Sequence, residues 1–158
     1  MLERIYDQQM DRTFFITSVT AQRRPIFRHD PTATLFMETL LHYRSQSKYL
    51  LHEFVIMPDH FHALITPSEE ISLEKAIQFI KGRFSHRLHS RIPVWQGGFT
   101  NHRMRDVEDF EHHREYIRMN PVRARLADRP GKYSYSSAGQ AISLDPPPQG
   151  LKPGLLAG

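Results

Sequence analysis

Apolar and polar positions alternate along this chain with two different periods, one typical of strands and the other of helices. Runs rich in β-branched and aromatic residues at 14–20, 49–57 and 60–66 predict three strands. A Pro-Asp pair separates the second run from the third, so these two are expected to form a β-hairpin with a tight turn. A fourth, shorter strand is expected at about 100–105.

Three further segments carry apolar residues at helical spacing. The first runs from Pro31 to about Lys48, the second from Ser72 to a stop at Pro93, and the third from about Val107 to Met119. The residue before a proline is driven out of the α region, so Asn120-Pro121 is expected to interrupt the third helix. A short helix then restarts and runs to about residue 127.

The resulting order is β-α-β-β-α-β-α, with an antiparallel hairpin in its centre. This order is typical of a ferredoxin-like α+β sandwich, a four-stranded antiparallel sheet with helices packed on one face. The chain has 158 residues and no cysteine, which predicts one domain and excludes disulfides and thiolate metal sites. We assign the domain to residues 1–137 and expect a flexible Pro/Gly-rich tail over 138–158.

The charge of the chain is unevenly distributed. Residues 1–74 contain 7 Lys and Arg against 10 Asp and Glu, whereas residues 75–132 contain 13 against 6. The basic half indicates phosphate binding, although an arginine-rich solvated surface gives the same counts. The first twelve residues are charged where a signal peptide requires an apolar core, and no apolar run is long enough for a membrane span. We therefore expect a cytoplasmic protein without a membrane partner.

Two histidines follow the predicted hairpin turn in the sequence MPDHFHALITP at 57–67. Side chains two apart on a strand share a face, so His60 and His62, about 7 Å apart at Cα, can converge on one metal ion. A third ligand would have to come from elsewhere in the chain. Two half-buried histidines bonded to backbone give the same pattern, so the pair alone leaves both interpretations open.

The third predicted helix contains Tyr116 and Asn120 in the sequence EYIRMNP. Residues four apart in a helix are neighbours on its surface. One interpretation makes Tyr116 a nucleophile and the Asn120 amide the third metal ligand. The other makes Tyr116 an amphipathic core residue and Asn120 the N-cap of a helix that restarts at Pro121. Composition does not decide between them.

Four motifs stand in a fixed order along the chain: MPDHFHALITP, IKGRFSHRL, WQGGFTNHRMRD and EYIRMNPVRARLADRPGKYSYSS. Together they resemble the single-tyrosine HUH transposases of the IS200-like type, and most closely the REP-associated tyrosine transposases, where REP stands for repetitive extragenic palindrome. The resemblance extends from about Phe14 to Ser137. In "HUH" the letter U denotes a bulky hydrophobic residue, so the motif here is His60, Phe61 and His62.

The resemblance implies a role for each site residue. Tyr116 is implied to be the nucleophile, and His60 and His62 are implied to bind Mg²⁺ or Mn²⁺. Asn120 occupies the third-ligand position, where IS200-like members have glutamine and the REP-associated branch has asparagine. Asp59 departs from the common asparagine in the turn, which adds a negative charge near the ion.

The resemblance also implies the reaction and its setting. The substrate would be single-stranded DNA beside a hairpin or palindromic element, cut through a 5′-phosphotyrosine and joined to another 3′-OH. The protein would act at the bacterial nucleoid, as a monomer or a homodimer.

Candidates for DNA contacts lie in the basic half and beside the tyrosine: Lys81, Arg83, Arg87, Trp95, His102, Arg103, Arg105, Arg114 and Arg118. Trp95 could equally be a core residue, and the two arginines flanking Tyr116 could simply face solvent. His112 and His113, one helical turn before Tyr116, are further candidates for proton transfer.

Two other functions are compatible with these residues. A metal-dependent hydrolase would use the histidine pair to activate water, but it usually takes further ligands from other strands. The predicted strands offer only His52, Glu53 and His102, with no clear spacing. The other alternative is a DNA-binding module that keeps the fold without the chemistry.

Overall fold

The computed structural model describes residues 12–142 and 144–148. One antiparallel sheet, ordered β2-β3-β1-β4, contains the strands β1 (Phe14–Val19), β2 (Tyr49–Met57), β3 (His60–Pro67) and β4 (Thr100–Arg103). The helices are α1 (Asp30–Ser45), α2 (Leu73–Leu88), α3 (Val107–Arg123) and α4 (Ser137–Gln140). The predicted α+β class with a four-stranded antiparallel sheet is confirmed.

Helices α1 and α2 cover one face of this sheet. Phe36 of α1 and Phe84 of α2 are fully buried and pack edge to face, with ring centroids 5.0 Å apart. Phe61 of β3 points to the same side and lies 4.7 Å from Phe36 between ring centroids. Burial of each such side chain stabilises the fold by roughly 1.5–3 kcal/mol relative to exposure.

Helix α3 covers the opposite face. Its buried residues Phe110 and Ile117 pack in one cluster with Val55 of β2 and Leu64 of β3. Successive strand residues point to opposite faces, so Phe61 and Leu64 belong to different cores. The prediction that all helices share one face is wrong for α3, because strands buried on both sides need a second covering layer.

Two predicted helix ends differ from the structure. Helix α2 ends at Leu88 rather than at Pro93, because His89 adopts the left-handed conformation (φ 54°) that closes a helix C-terminus. Helix α3 continues through Pro121 to Arg123 without a break. Pro121 is buried, and packing of its ring offsets the hydrogen bond that a proline removes from the helix.

A C-terminal segment lies along the outer edge of β2. The Ile56 N–H donates to the Tyr135 carbonyl (2.8 Å), Val55 pairs with Ser136, and the Phe54 N–H donates to the Ser137 hydroxyl (3.1 Å). These contacts supply partners to an edge that would otherwise be open.

The same edge continues into the segment for which a flexible tail was predicted. The Asp145 carboxylate accepts hydrogen bonds from the Leu51 N–H (2.8 Å) and from the Arg44 guanidinium (2.9 Å). Asp145 also donates its own N–H to the Leu51 carbonyl (3.0 Å). The described part of this segment is therefore packed against the domain, while residues 143 and 149–158 lie outside the described residues.

Within the described ranges, none of the helices combines the length and the apolar character that crossing a bilayer requires.

Candidate active site

The turn between β2 and β3 sets the position of the two histidines. Pro58 and Asp59 form the turn, and the Asp59 carbonyl accepts hydrogen bonds from the Thr20 N–H (2.9 Å) and hydroxyl (3.0 Å). The following residues then pair with β1 in register, His60 opposite Val19 and His62 opposite Thr17. This register fixes both histidines on the face of the sheet that carries α3.

The imidazoles of His60 and His62 lie side by side on that face. Their ring centroids are 4.8 Å apart and the rings are nearly perpendicular. His62 is buried, whereas the His60 side chain is 20% exposed. Phe61, between them in sequence, points into the opposite core. The strand alternation predicted from the sequence therefore brings the two rings together.

One nitrogen of each imidazole is already engaged. The Nδ1 atom of His60 lies 2.7 Å from an Asp59 carboxylate oxygen, and Nδ1 of His62 lies 2.7 Å from the Thr17 hydroxyl. With a proton on Nδ1, each ring presents the lone pair of its Nε2 atom, the form in which histidine binds a metal ion. This arrangement fits a divalent cation.

Electrostatics favours the forms that bind a cation. Burial, with added repulsion from His60 and Arg123, lowers the pKa of His62 to about 3, so the ring is neutral at physiological pH. Burial alone would raise the pKa of Asp59, but its hydrogen bonds to His60 and Arg23 outweigh burial and lower it. The ionised carboxylate orients His60 and adds negative charge beside the site.

Tyr116 lies next to the histidine pair. Its ring meets His62 edge to face with a centroid distance of 5.5 Å, and Phe15 of β1 contacts both rings. Tyr116 is 42% exposed. Its alternative placement in the apolar core is therefore excluded, and the side chain is accessible to a substrate.

Arg123 is a neighbour of Tyr116 that the sequence analysis missed. Its guanidinium carbon lies 4.4 Å from the centre of the Tyr116 ring, and its Nη2 donates to the Tyr116 carbonyl (2.6 Å). Arg123 follows Tyr116 by seven residues, two helical turns, and this spacing was the available signal. Because a helix break was predicted at Pro121, Arg123 was not expected to lie on the same continuous helix as Tyr116.

Asn120 lies one helical turn after Tyr116. Because α3 continues to Arg123, Asn120 is inside the helix and is not the N-cap of a restarted one. Its carbonyl accepts the Ala124 N–H (3.0 Å), while its side-chain amide makes no hydrogen bond to any residue of the described ranges. The amide is therefore available for another partner.

The two arginines that flank Tyr116 in sequence lie beside Glu53 and not beside the histidine pair. A bulge between Leu51 and Glu53 turns the Glu53 carboxylate toward α3, where it is buried and lies 3.1 Å from Arg114 Nε and 3.0 Å from Arg118 Nε. Both arginines are two residues from Tyr116 and so roughly 160° away around the helix axis. They border a separate cavity of about 530 Å³ rather than the histidine site.

The candidates on α2 are also separated from the histidines, since α2 covers the other sheet face. Lys81 donates to the Gly98 carbonyl (2.7 Å) and lies 5.3 Å from the Trp95 ring centre, Arg83 is half-buried, and Arg87 is exposed. Trp95 contacts four phenylalanines of the first core, Phe27, Phe36, Phe61 and Phe84. Its side chain is partly buried and packs against this core.

Three further candidates for DNA contacts lie on and just after β4. Arg103 and Arg105 are exposed, and His102 lies 3.0 Å from the Asp109 carboxylate. His113 lies near the same carboxylate, whereas His112 is exposed.

Arg23 is a further cation at the site that the sequence analysis did not single out. Its guanidinium is 3.3 Å from Asp59, and its side chain borders two open clefts of about 410 Å³ each. One cleft also includes Thr17 and the glycine loop at 97–98, and the other includes His60 and Arg28. Arg23 thus borders both clefts, one of which includes His60.

The chain matches a known protein family over more than half of its length. The profile of the family described as "Transposase IS200 like" matches residues 10–120. A REP-associated tyrosine transposase of Escherichia coli (strain K12) is 31% identical over 74 residues, covering 46% of this chain and 44% of that protein. A Haemophilus influenzae protein whose name also designates a REP-associated tyrosine transposase is 25% identical over 141 residues, 78% of each chain. The match to the first of these relatives thus spans less than half of its length.

Solved structures show the same fold. A REP-associated tyrosine transposase bound to a REP hairpin is similar with a TM-score of 0.73 and 22% identity, over 88% of this chain and 85% of that one. A Deinococcus radiodurans protein described as a transposase has a TM-score of 0.51 and 16% identity, over 66% and 87%. These likenesses show the fold, and the profile match shows that the chain belongs to the IS200-like transposase family.

Proposed function

We propose that this chain is a metal-dependent enzyme that cuts and rejoins single-stranded DNA beside hairpins through a 5′-phosphotyrosine intermediate. The observation that carries the proposal is the exposed Tyr116 ring packed edge to face against His62, whose imidazole is paired with that of His60. An exposed tyrosine thus lies beside two paired imidazoles, of which His62 is neutral at physiological pH.

The proposed reaction transfers a DNA phosphate from a 3′ oxygen to the oxygen of Tyr116. The Tyr116 hydroxyl gives up its proton and its oxygen attacks a backbone phosphorus. The bond from phosphorus to the 3′ oxygen breaks, and that oxygen takes up a proton and leaves as a 3′-OH. The 5′ end stays bonded to Tyr116. Attack by another 3′-OH reverses the step and joins two strands, with no external energy source.

His60, His62 and Asn120 are the residues that would hold Mg²⁺ or Mn²⁺, which would act as a Lewis acid on the phosphate oxygens. Thr17 and Asp59 fix the orientation of the two imidazoles through their Nδ1 atoms. Arg123 places a positive charge beside Tyr116 and beside the phosphate it would attack.

The substrate is inferred from the family and from the charge around the site. One solved relative is bound to a REP hairpin, and single-stranded DNA carries a phosphate at every nucleotide. Arg23 borders both clefts, and Arg28 borders the cleft that includes His60, through which a strand reaching the site would pass. DNA as substrate places the reaction at the bacterial nucleoid.

The proposal is tested by incubating the protein with end-labelled single-stranded hairpin DNA and Mn²⁺, then separating the products on a denaturing gel. We expect a covalent protein–DNA adduct that is lost in Tyr116→Phe. The matched control is Tyr43→Phe on α1, on the other sheet face, which should form the adduct normally.

Two outcomes would contradict the proposal. An adduct that persists in Tyr116→Phe would refute this residue as the nucleophile. Release of free 5′-phosphate ends without an adduct would indicate a hydrolase that uses the histidines to activate water.

A further inference from the structure

A second group of metal-ligating side chains lies one helical turn before Tyr116. It consists of His102 on β4 and of Asp109 and His113 on α3, and we name it the His-Asp-His cluster. One ligand atom of each residue lies within 4.8 Å of those of the other two. The proposed reaction does not use this cluster.

The geometry of the cluster is close to that of a transition-metal site. His102 Nε2 lies 3.0 Å from one Asp109 carboxylate oxygen. His113 Nδ1 lies 3.2 Å from the other and 2.8 Å from the Asp109 backbone carbonyl, so binding an ion would replace this carbonyl contact and release the Nδ1 proton. Ligand bonds of 2.0–2.1 Å place neighbouring donor atoms of a tetrahedral ion roughly 3.3 Å apart. The two imidazoles are stacked, with centroids 4.9 Å apart.

The surroundings keep the carboxylate ready to bind a cation. Asp109 is 9% exposed, and its oxygen accepts the Arg105 N–H at 3.0 Å, which holds it in place. The Arg105 guanidinium lies 3.4 Å away on a side chain that is 73% exposed, so it can move into solvent. The exposed His102 side chain leaves a path for an ion.

We infer that the His-Asp-His cluster binds a Zn²⁺-like transition-metal ion, separate from the ion at His60 and His62. Two imidazoles and one carboxylate are ligands typical of zinc rather than of magnesium, which prefers oxygen. Solvent would complete the coordination.

The location of the cluster gives this ion a structural role. It would join β4 to the helix that carries Tyr116. The His113 ring packs against Phe15 (4.9 Å between centroids), and Phe15 in turn packs against His62 and Tyr116. An ion here would therefore hold α3 in register with the sheet beside the nucleophile.

The test uses the full chain carrying His60→Ala and His62→Ala, so that the proposed catalytic pair cannot bind metal. Titration with Co²⁺, followed by its visible absorption, is expected to show one bound ion, and Zn²⁺ should displace Co²⁺ and raise Tm. Adding His102→Ala should weaken binding by more than about tenfold, since loss of even a supporting residue costs that much. His102 lies on the exposed edge strand, so this variant should fold.

The matched control adds His112→Ala, an exposed histidine adjacent to the cluster, and should bind Co²⁺ as before. The inference is overturned if the chain lacking His60 and His62 binds no Co²⁺, or if His102→Ala binds it with unchanged affinity. Neither measurement requires DNA cleavage. A negative result here would therefore contradict the metal inference without contradicting the proposed function.

Discussion

Thr17 shows how a side chain outside the histidine pair can orient the candidate metal ligands. It lies opposite His62 in the β1–β3 register, and its hydroxyl is 2.7 Å from His62 Nδ1. Partners of this kind fix the tautomer and the orientation of a metal-binding imidazole. The pairing depends on which strand lies beside β3, so no local sequence pattern reveals it.

We therefore predict that Thr17→Val raises the Mn²⁺ concentration needed for half-maximal adduct formation by about 10–100-fold. Activity should return at high Mn²⁺, because the histidines themselves remain. The measurement is adduct yield against Mn²⁺ concentration. Thr100→Val, the exposed register neighbour of Thr17 on β4, is the control. An unchanged Mn²⁺ requirement in Thr17→Val would show that the hydroxyl does not orient His62.

At the scale of single elements, α3 presents two polar sides with different roles. One side carries Tyr116 and Arg123, which face the candidate site. The other carries Arg114 and Arg118, which neutralise the buried carboxylate of Glu53. The sequence assigned these two arginines to DNA only because they are basic and flank the tyrosine.

This division predicts opposite phenotypes for two arginines. Arg118→Gln should lower the free energy of unfolding by about 1 kcal/mol, since Glu53 keeps Arg114 as a partner, and should leave DNA affinity unchanged. Arg103→Gln on β4 should leave stability within about 0.5 kcal/mol and weaken DNA binding, reducing its salt slope by about 1.

Urea unfolding and fluorescence anisotropy on hairpin DNA over a series of salt concentrations measure both effects. Equal loss of DNA affinity in the two variants would show that Arg118 also contacts DNA and would contradict this division.

Local sequence patterns predicted which strands and helices form more accurately than where these end or which residues lie beside each other in the fold. The hairpin holding His60 and His62 was predictable because strand alternation and a Pro-Asp turn are local signals. The end of α2 was not, because His89 adopts a left-handed conformation that is more typical of glycine. Helix α3 continues through Pro121 because tertiary packing outweighs the local preference, and this continuation brings Arg123 to the tyrosine.

At the scale of the whole molecule, buried histidines couple stability to pH. His52 lies at the β2 bulge, with its ring nitrogens 2.8 Å from the Thr66 hydroxyl and 3.1 Å from the Asp145 carbonyl. Burial lowers the pKa of His52 below its ordinary value of 6.5, against a smaller opposing effect of Asp145. Below about pH 6.5 the unfolded chain therefore takes up a proton that the folded chain does not, and stability falls.

We expect the free energy of unfolding to decrease from pH 7.5 to pH 5, and to decrease less in His52→Gln than in the unmodified chain. Urea unfolding at both pH values measures the difference. His86→Gln, an exposed histidine of α2, should keep the full pH dependence. If His52→Gln also keeps the full decrease, the pH dependence comes from other groups.

The segment from Tyr135 to Asp145 has a consequence for how copies of this chain can meet. Among the described residues, 135–137 and Asp145 bond to backbone groups of Leu51 and of 54–56 in β2. The opposite edge of the sheet is the four-residue, exposed and polar strand β4. Neither edge offers a neighbour a long ladder of hydrogen bonds. A dimer formed by joining the sheets of two copies edge to edge is therefore disfavoured.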